Sequence, residues 1–203
     1  MSTITTLADL QALYGTPGEA SLVKETDRIM PAYKTMIDAS PFVTLATNGP
    51  NGLDCSRRGD AGGVVRVTDE KTVMMPDRRG NNELDSLRDI VHDPHVALLF
   101  LIPGSGNTMR IQGRAEISVE LELLATFAVE GKWPRCVVVV AVDAIYFQCA
   151  HAVLRADLWN ADKHVKPKSL PSAGTMLAQT SDGRVGGADY GKAWPARAKA
   201  SMW

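Results

Sequence analysis

The sequence predicts a mainly β protein in which six or seven antiparallel strands form a barrel, with short helices between them. Stretches rich in β-forming residues recur between residues 42 and 149. Turn residues separate these stretches at short spacing, as in 48–52. Strands and helices do not alternate as they do in a Rossmann fold. A closed barrel is therefore the expected arrangement, because closure removes exposed sheet edges.

Composition limits the classes of function. The chain has 203 residues, with 22 Lys and Arg against 23 Asp and Glu, which fits one domain with extensions and gives no basic excess for nucleic acid. No apolar run approaches the roughly 20 residues of a membrane helix, and the N-terminus does not resemble a signal peptide. The cysteines Cys55, Cys136 and Cys149 form no disulfide framework. We expect a cytoplasmic protein with no metal site and no membrane or nucleic acid partner.

The first forty residues are predicted to be helical. Apolar residues in 7–13 lie near helical spacing, and a second helix follows Pro31 with Met36 and Ile37 facing inward. Ser40-Pro41 ends that helix, because a residue before proline disfavours the helical conformation. Two hairpins then follow. Their predicted strands are 42–47, 53–57, 64–67 and 72–75.

The next predicted elements are a helix and then the strands of the second half of the sheet. Leu84, Leu87 and Val91 predict one apolar helix face, which ends at Asp93-Pro94. The apolar run 96–102 predicts a strand that is buried on both faces. Polar and apolar residues then alternate along 110–119, which predicts a strand with one solvent-exposed face. The remaining predictions are a short helix over 121–129, a long strand over 136–149 and a loosely structured last forty residues.

The strongest chemical signal is the segment 75–82, which leaves a strand and opens a helix. Asn81 or Asn82 is expected to cap that helix, with Asp85 in its first turn. The first N–H groups of a helix attract anions, and arginine matches phosphate oxygens, so Arg78 and Arg79 indicate a phosphate site. The alternative is an ordinary capped helix with two solvated arginines. The carboxylate of Glu83 opposes phosphate binding.

Two further segments suit a flat ligand. The segment 54–63 ends a strand in charged residues and glycines, which permits close approach of a heterocycle. The alternative there is a long solvated connection. Trp159 near Arg155 either covers a planar ligand or anchors the C-terminal segment. Cys149 and His151 share one side of a strand, as a nucleophile pair or as a packed thiol beside a polar histidine.

Taken together, these segments resemble the pyridoxamine 5'-phosphate oxidase-like family of FMN-binding split-barrel proteins, close to a subgroup of uncharacterised FMN-binding members. The resemblance covers about residues 25–160 and rests on five motifs, of which Met75–Leu87 is the most specific. The five motifs are Ser40–Val43, Ser56–Asp60, Met75–Leu87, Leu99–Gly104 and Thr108–Ala115.

The resemblance implies a six- to seven-stranded split β-barrel that forms a homodimer with two FMN sites at its interface. It divides the chain into an N-terminal helical extension (1–24), the FMN-binding barrel (25–160) and a C-terminal extension (161–203) that wraps the barrel or the partner subunit. The implied cofactor residues fall into four groups: around the ring, flanking ring and ribityl chain, at the phosphate, and on the neighbouring strand. Around the ring are Ser56, Arg57, Arg58, Gly59 and Asp60, and flanking the ring and ribityl chain are Met75, Pro76 and Asp77. At the phosphate are Arg78, Asn81 and Asn82, and on the neighbouring strand are Arg110 and Gln112.

Three more residues are implied to reach the site from the second subunit: Trp159 at the cofactor, and His151 and Arg155 at the substrate. The implied function is an FMN-dependent oxidoreductase that transfers hydride at the flavin, with an unknown small-molecule substrate and a donor such as NAD(P)H. The substrate motif of true pyridoxamine phosphate oxidases is not recognisable. The alternatives are a deazaflavin-dependent reductase on the same fold, a non-catalytic flavin carrier or sensor, and a plain dimeric interaction protein.

Overall fold

The computed structural model of the chain describes residues 3–202. One antiparallel sheet of seven strands forms its centre, and the predicted strands are present with small shifts at their ends. The strands are β1 (Phe42–Gly49), β2 (Gly52–Gly59), β3 (Arg66–Val67), β4 (Thr72–Pro76), β5 (His95–Leu101), β6 (Thr108–Ser118) and β7 (Val137–Gln148). The helices are α1 (Leu7–Tyr14), α2 (Glu19–Leu22), α3 (Pro31–Asp38), α4 (Asp85–His92), α5 (Leu121–Ala125), α6 (His151–Ala156), α7 (Ala173–Thr180) and α8 (Ala188–Ser201).

The sheet has the order β2-β1-β5-β6-β7-β4-β3. Its two outer strands, β2 and β3, are not hydrogen-bonded to each other within the described part of the chain. The expectation of a fully closed barrel is therefore wrong, because the ladder is open between these strands. The open seven-stranded sheet is a split barrel, as the family resemblance implied.

The core lies on one face of the sheet. Val43, Leu45, Phe100, Ile111 and Ile145 project to this face and are fully buried. Strand β6 alternates as predicted, with its polar residues on the opposite face. Strand β5 differs from the prediction, since only alternate residues are fully buried and the others are half-buried.

Gly113 marks an irregularity in the pairing of β6 with β7. The register shifts between Gln112 and Gly113. A Cβ atom at Gly113 would lie 2.2 Å from the carbonyl oxygen of Ala141. Only glycine fits this close approach of the two backbones, which bends the long strand pair.

Helix α4 packs with a different face from the one predicted. Ser86 and Ile90 are its buried residues, whereas Val91 is 79% exposed. Leu84 precedes the first helical turn, so the predicted stripe does not lie along the helix, although Leu87 packs against the core. The buried stripe includes a serine, because its hydroxyl is hydrogen-bonded to the neighbouring strand.

The C-terminal forty residues are more ordered than predicted. Helices α7 and α8 pack against each other where the Gly187 amide donates to the Gly174 carbonyl at 2.8 Å. The many alanines favour helix and outweigh the glycines and Pro195, which lies inside α8. Helix α5 also ends earlier than predicted, because Val129 pairs with Lys132 in an isolated bridge. Within residues 3–202 no helix is both long and apolar enough to cross a membrane.

Candidate functional site

A cavity of about 550 Å³ lies where β2 and β4 end and where β7 begins. This volume is within the range of small-molecule sites in proteins, which is roughly 300–1,000 Å³. It brings together nine of the residues predicted from the sequence to bind a cofactor. They are Arg57, Arg58, Gly59, Asp60, Pro76, Asp77, Arg78, Asn81 and Asn82.

The sheet order explains how distant segments meet at this cavity. Strand β4 pairs with β7, so that Pro76 lies opposite Val137. Beyond this pair, the amide of Asp77 donates to the carbonyl oxygen of Cys136 at 2.9 Å. The loop after β4 is thereby fixed to the segment that precedes β7. That segment contributes Lys132, Trp133 and Arg135 to the cavity wall.

Positive charge predominates in the cavity. Six basic side chains line it against three acidic ones, Asp60, Asp77 and Glu83, so the lining carries three excess positive charges. Among these basic residues of the described chain, Arg78 alone forms a salt bridge. The basic residues are Arg57, Arg58, Arg78, Arg79, Lys132 and Arg135.

Arg78 is held by the protein itself. Its Nε donates to Asp60 Oδ2 at 2.8 Å, and its Nη1 donates to the carbonyl oxygen of Phe127 at 2.7 Å. Both charged side chains of this pair are less than a quarter exposed. The arginine that the sequence placed at a phosphate thus connects the loop after β4 with the loop after β2 and with the segment after α5.

Asp77 has a perturbed acidity in this setting. Burial raises the pKa of its carboxyl group above the ordinary value, while the positive charges of Arg58 and Arg135 act in the opposite direction. Burial, together with the charge of Asp77, also raises the pKa of the Cys136 thiol to about 11. Arg135 donates to Asn82 Oδ1 at 3.1 Å. Arg58 and Arg135 therefore flank a half-buried carboxylate, with guanidinium N–H groups left over for a ligand.

The two asparagines do not cap α4 as predicted. The helix begins at Asp85 after Leu84, which makes no side-chain cap. Asn81 Oδ1 instead accepts a hydrogen bond from the amide of Glu83 at 3.1 Å. Asn82 has a φ of 63°, a left-handed conformation that asparagine tolerates better than most residues. This turn keeps both side chains at the cavity and separates them from the helix terminus.

Seven predicted site residues lie outside this cavity. Ser56 faces α4, with its hydroxyl 2.7 Å from that of Ser86. Met75 is 1% exposed in the core. Trp159 donates from Nε1 to the carbonyl oxygen of Ser105 at 2.7 Å, which fits the alternative of an anchor for the C-terminal segment. The other four are Arg110, Gln112, His151 and Arg155.

Cys149 and His151, which the sequence offered as a nucleophile pair or as a packed thiol beside a histidine, are close in space. The Sγ atom of Cys149 lies 3.3 Å from Nδ1 of His151, and the thiol is exposed. Among the described residues, no third side chain is hydrogen-bonded to this pair.

The segment 132–135 was missed by sequence reasoning, whereas Arg79, which the sequence pattern placed with Arg78 at a phosphate, does line the cavity. The signal was present, because two cations and a tryptophan immediately precede the last long strand. Nothing in the local pattern says that this strand start lies beside the end of β4. The pairing of β4 with β7 supplies that information.

The donor set fits a phosphate-bearing aromatic ligand. Several guanidinium groups without carboxylate partners are suited to phosphate oxygens. Trp133, which is 47% exposed, and the backbone of Gly59 leave room and surface for a flat ring.

Solved structures of other proteins resemble this chain at low sequence identity. The structure of a HupZ variant from Group A Streptococcus matches at a TM-score of 0.50 and 18% identity, covering 59% of this chain and 99% of that one. General Stress Protein 26 from Bacillus anthracis matches at 0.43 and 17%, covering 56% and 88%. An FMN-binding protein from Syntrophomonas wolfei matches at 0.45 and 15%, covering 56% and 82%. The HupZ match supports the split-barrel fold.

The family follows from sequence. The family model described as pyridoxamine 5'-phosphate oxidase matches residues 29–149, which is more than half of the chain. The chain therefore belongs to the pyridoxamine 5'-phosphate oxidase family, as its motifs indicated. A search of curated proteins gives no match.

Proposed function

We propose that the chain binds FMN in the cationic cavity and acts as an FMN-dependent oxidoreductase. The observation that carries this proposal is the excess of three positive charges around a cavity of about 550 Å³, in a chain of this family. A phosphate monoester carries nearly two negative charges at neutral pH, so its burial requires such an excess. A deazaflavin on the same fold would need the same phosphate site, and the test below separates the two.

In this proposal Arg58 and Arg135 hold the phosphate, assisted by Arg79 and Lys132. These side chains line the cavity and have no carboxylate within salt-bridge distance in the described chain. Bidentate guanidinium contacts would fix the position as well as supply charge. Arg78 acts indirectly, because it neutralises Asp60 and keeps that carboxylate from the anion.

The remaining lining residues orient the ring. Trp133 offers an aromatic face, and Gly59 and Pro76 offer backbone at short range. The flavin, when bound, supplies hydride transfer, and the protein supplies position and polar contacts. The half-buried carboxyl group of Asp77 retains its proton to higher pH than an exposed one, which places a weakly acidic group in the wall.

The proposed assembly is a homodimer in the cytoplasm. Arg110, Gln112, His151, Arg155 and Trp159 lie outside the cavity of their own chain, so the proposal assigns them to the cavity of a second copy. The three cysteines are free, which suits a reducing compartment.

The absorption spectrum of the purified protein tests the proposal. We expect a bound yellow chromophore that is released by denaturation and identified as FMN by mass. A released deazaflavin would replace the cofactor in the proposal, and a protein that takes up neither would contradict it. Reduction by NADH or NADPH, followed by reoxidation with added acceptors, separates an enzyme from a carrier or sensor.

A further inference from the structure

A second cavity of about 500 Å³ adjoins the first. It lies between α3, the loop after β2, β3 and the segment that follows α5. Its floor is apolar, since Val64, Val65 and Phe127 line it and each is at most 6% exposed. Asp60 and Arg78 line both cavities, so their ion pair forms part of the wall between them.

The charges in the second cavity are nearly balanced. Lys34 pairs with Asp38, and Arg78 pairs with Asp60. Arg66 is the remaining charged residue of the lining, and in the described part of the chain no carboxylate lies within 4.0 Å of it. The lining thus carries one positive charge without a counter-charge.

The guanidinium of Arg66 is held in a fixed position. It lies 3.7 Å from the centre of the Phe127 ring. Its Nη1 donates to Thr126 Oγ1 at 2.9 Å, and its Nη2 donates to the carbonyl oxygen of Thr126 at 2.8 Å. A guanidinium has five N–H groups, so three remain for a ligand. Positioning by the ring and by Thr126 lowers the entropy cost of binding an anion.

We propose that the second cavity binds a small organic anion with one negative charge and an apolar body, such as an aromatic carboxylate. The carboxylate would bind Arg66, and the apolar body would pack on Val64, Val65 and Phe127. Arg66 balances one negative charge, and the apolar floor disfavours fully polar anions.

Calorimetric titration of the full chain without added flavin tests the binding site. Benzoate is the probe, and benzamide is its uncharged counterpart of similar shape. We expect saturable binding of benzoate, weaker binding of benzamide, and a loss of roughly tenfold or more in benzoate affinity for Arg66→Gln. Arg114→Ala, which removes an exposed arginine of β6, is the control and should bind benzoate like the wild type.

A second variant guards against misfolding of the first. Ala128 is exposed at the rim of the cavity, so Ala128→Trp should obstruct entry while thermal unfolding stays close to that of the wild type. The inference is overturned if benzoate does not bind the wild type, if benzamide binds equally well, or if benzoate affinity is unchanged in folded Arg66→Gln and Ala128→Trp.

Flavin titration of the same proteins separates this inference from the proposed function. Arg66 does not line the first cavity, so Arg66→Gln should bind FMN like the wild type. Benzoate binding without FMN binding would remove the flavin proposal and leave the anion site.

Discussion

Asp60 Oδ2 lies 2.8 Å from Nε of Arg78, and this ion pair stands between two cavities. Both side chains are largely buried, and Arg78 is fixed further by the carbonyl oxygen of Phe127. The pair neutralises a carboxylate that would otherwise face the phosphate site. The arrangement gives Arg78 an indirect role in anion binding.

Arg78→Ala should therefore weaken FMN binding mainly by leaving Asp60 unpaired. The double variant Arg78→Ala with Asp60→Asn removes that charge and should recover most of the lost affinity. Calorimetric titration of the wild type, the two single variants and the double variant measures the coupling. Equal losses in Arg78→Ala and in the double variant would show that Arg78 contacts the phosphate directly.

Arg58→Ala and Arg135→Ala should each reduce FMN affinity by about ten- to a hundredfold. This is the size of a lost hydrogen bond to a charged group, roughly 1.5–3 kcal/mol. Arg88→Ala removes an exposed arginine of α4 outside the cavity and should bind normally. If Arg58→Ala and Arg135→Ala bind FMN as tightly as the Arg88→Ala control, the phosphate does not lie between Arg58 and Arg135.

Glu83→Gln should increase FMN affinity. Its carboxylate lines the cavity and accepts a hydrogen bond from Asn81 Nδ2 at 3.1 Å, which a glutamine oxygen can also accept. Loss of one exposed negative charge near the phosphate is worth about 0.5–1 kcal/mol, and the gain should shrink as salt is raised. Lower affinity in Glu83→Gln would mean that the carboxylate contacts another part of the ligand.

Cys136 should make stability fall at alkaline pH. The folded state raises the pKa of this thiol from 9.0 to about 11. Between these two values the unfolded thiol ionises while the folded one stays neutral, so unfolding is favoured as pH rises. The loss is on the order of 2 kcal/mol and should be smaller in Cys136→Ala, as measured by urea unfolding at pH 8 and pH 10.5. Equal pH dependence in both proteins would contradict the raised pKa.

Gly113→Ala should destabilise the sheet strongly. The added Cβ would lie 2.2 Å from the carbonyl oxygen of Ala141, so the β6–β7 backbones would have to separate. We expect a loss of about 2–4 kcal/mol in the free energy of unfolding. Gly18→Ala meets no atom within 4 Å and serves as the control in the same denaturant titration. A loss no greater than that of Gly18→Ala would show that the strands adjust freely.

Local patterns predicted the sheet well. The alternation in β6 and the proline that ends α3 depend on neighbouring residues only, and both appear as predicted. The packing face of α4 could not be predicted, because Ser86 is buried through hydrogen bonds to Ser56 and Asp54 on β2. The helices after residue 160 were not predicted, because this segment contains glycines and prolines, which disfavour helix, beside alanines, which favour it.

In the site, too, features set by neighbouring residues were predicted and features set by distant contacts were not. The ends of β2 and β4 and the loops after them carry recognisable charged and glycine-rich segments, and nine of their predicted residues meet at one cavity. The pairing of Arg78 with Asp60, and the arrival of Arg135 from before β7, depend on contacts between residues 18 or more positions apart. Sequence spacing carries no information about such contacts without the topology.

Titration of the flavin-free chain with FMN in a calorimeter tests the central claim most directly. We expect saturable binding at one FMN per chain, weakened by added phosphate and by salt, with a parallel change in flavin fluorescence. Absence of binding at any ionic strength, or binding that is unaffected by both Arg58→Ala and Arg135→Ala, would contradict it.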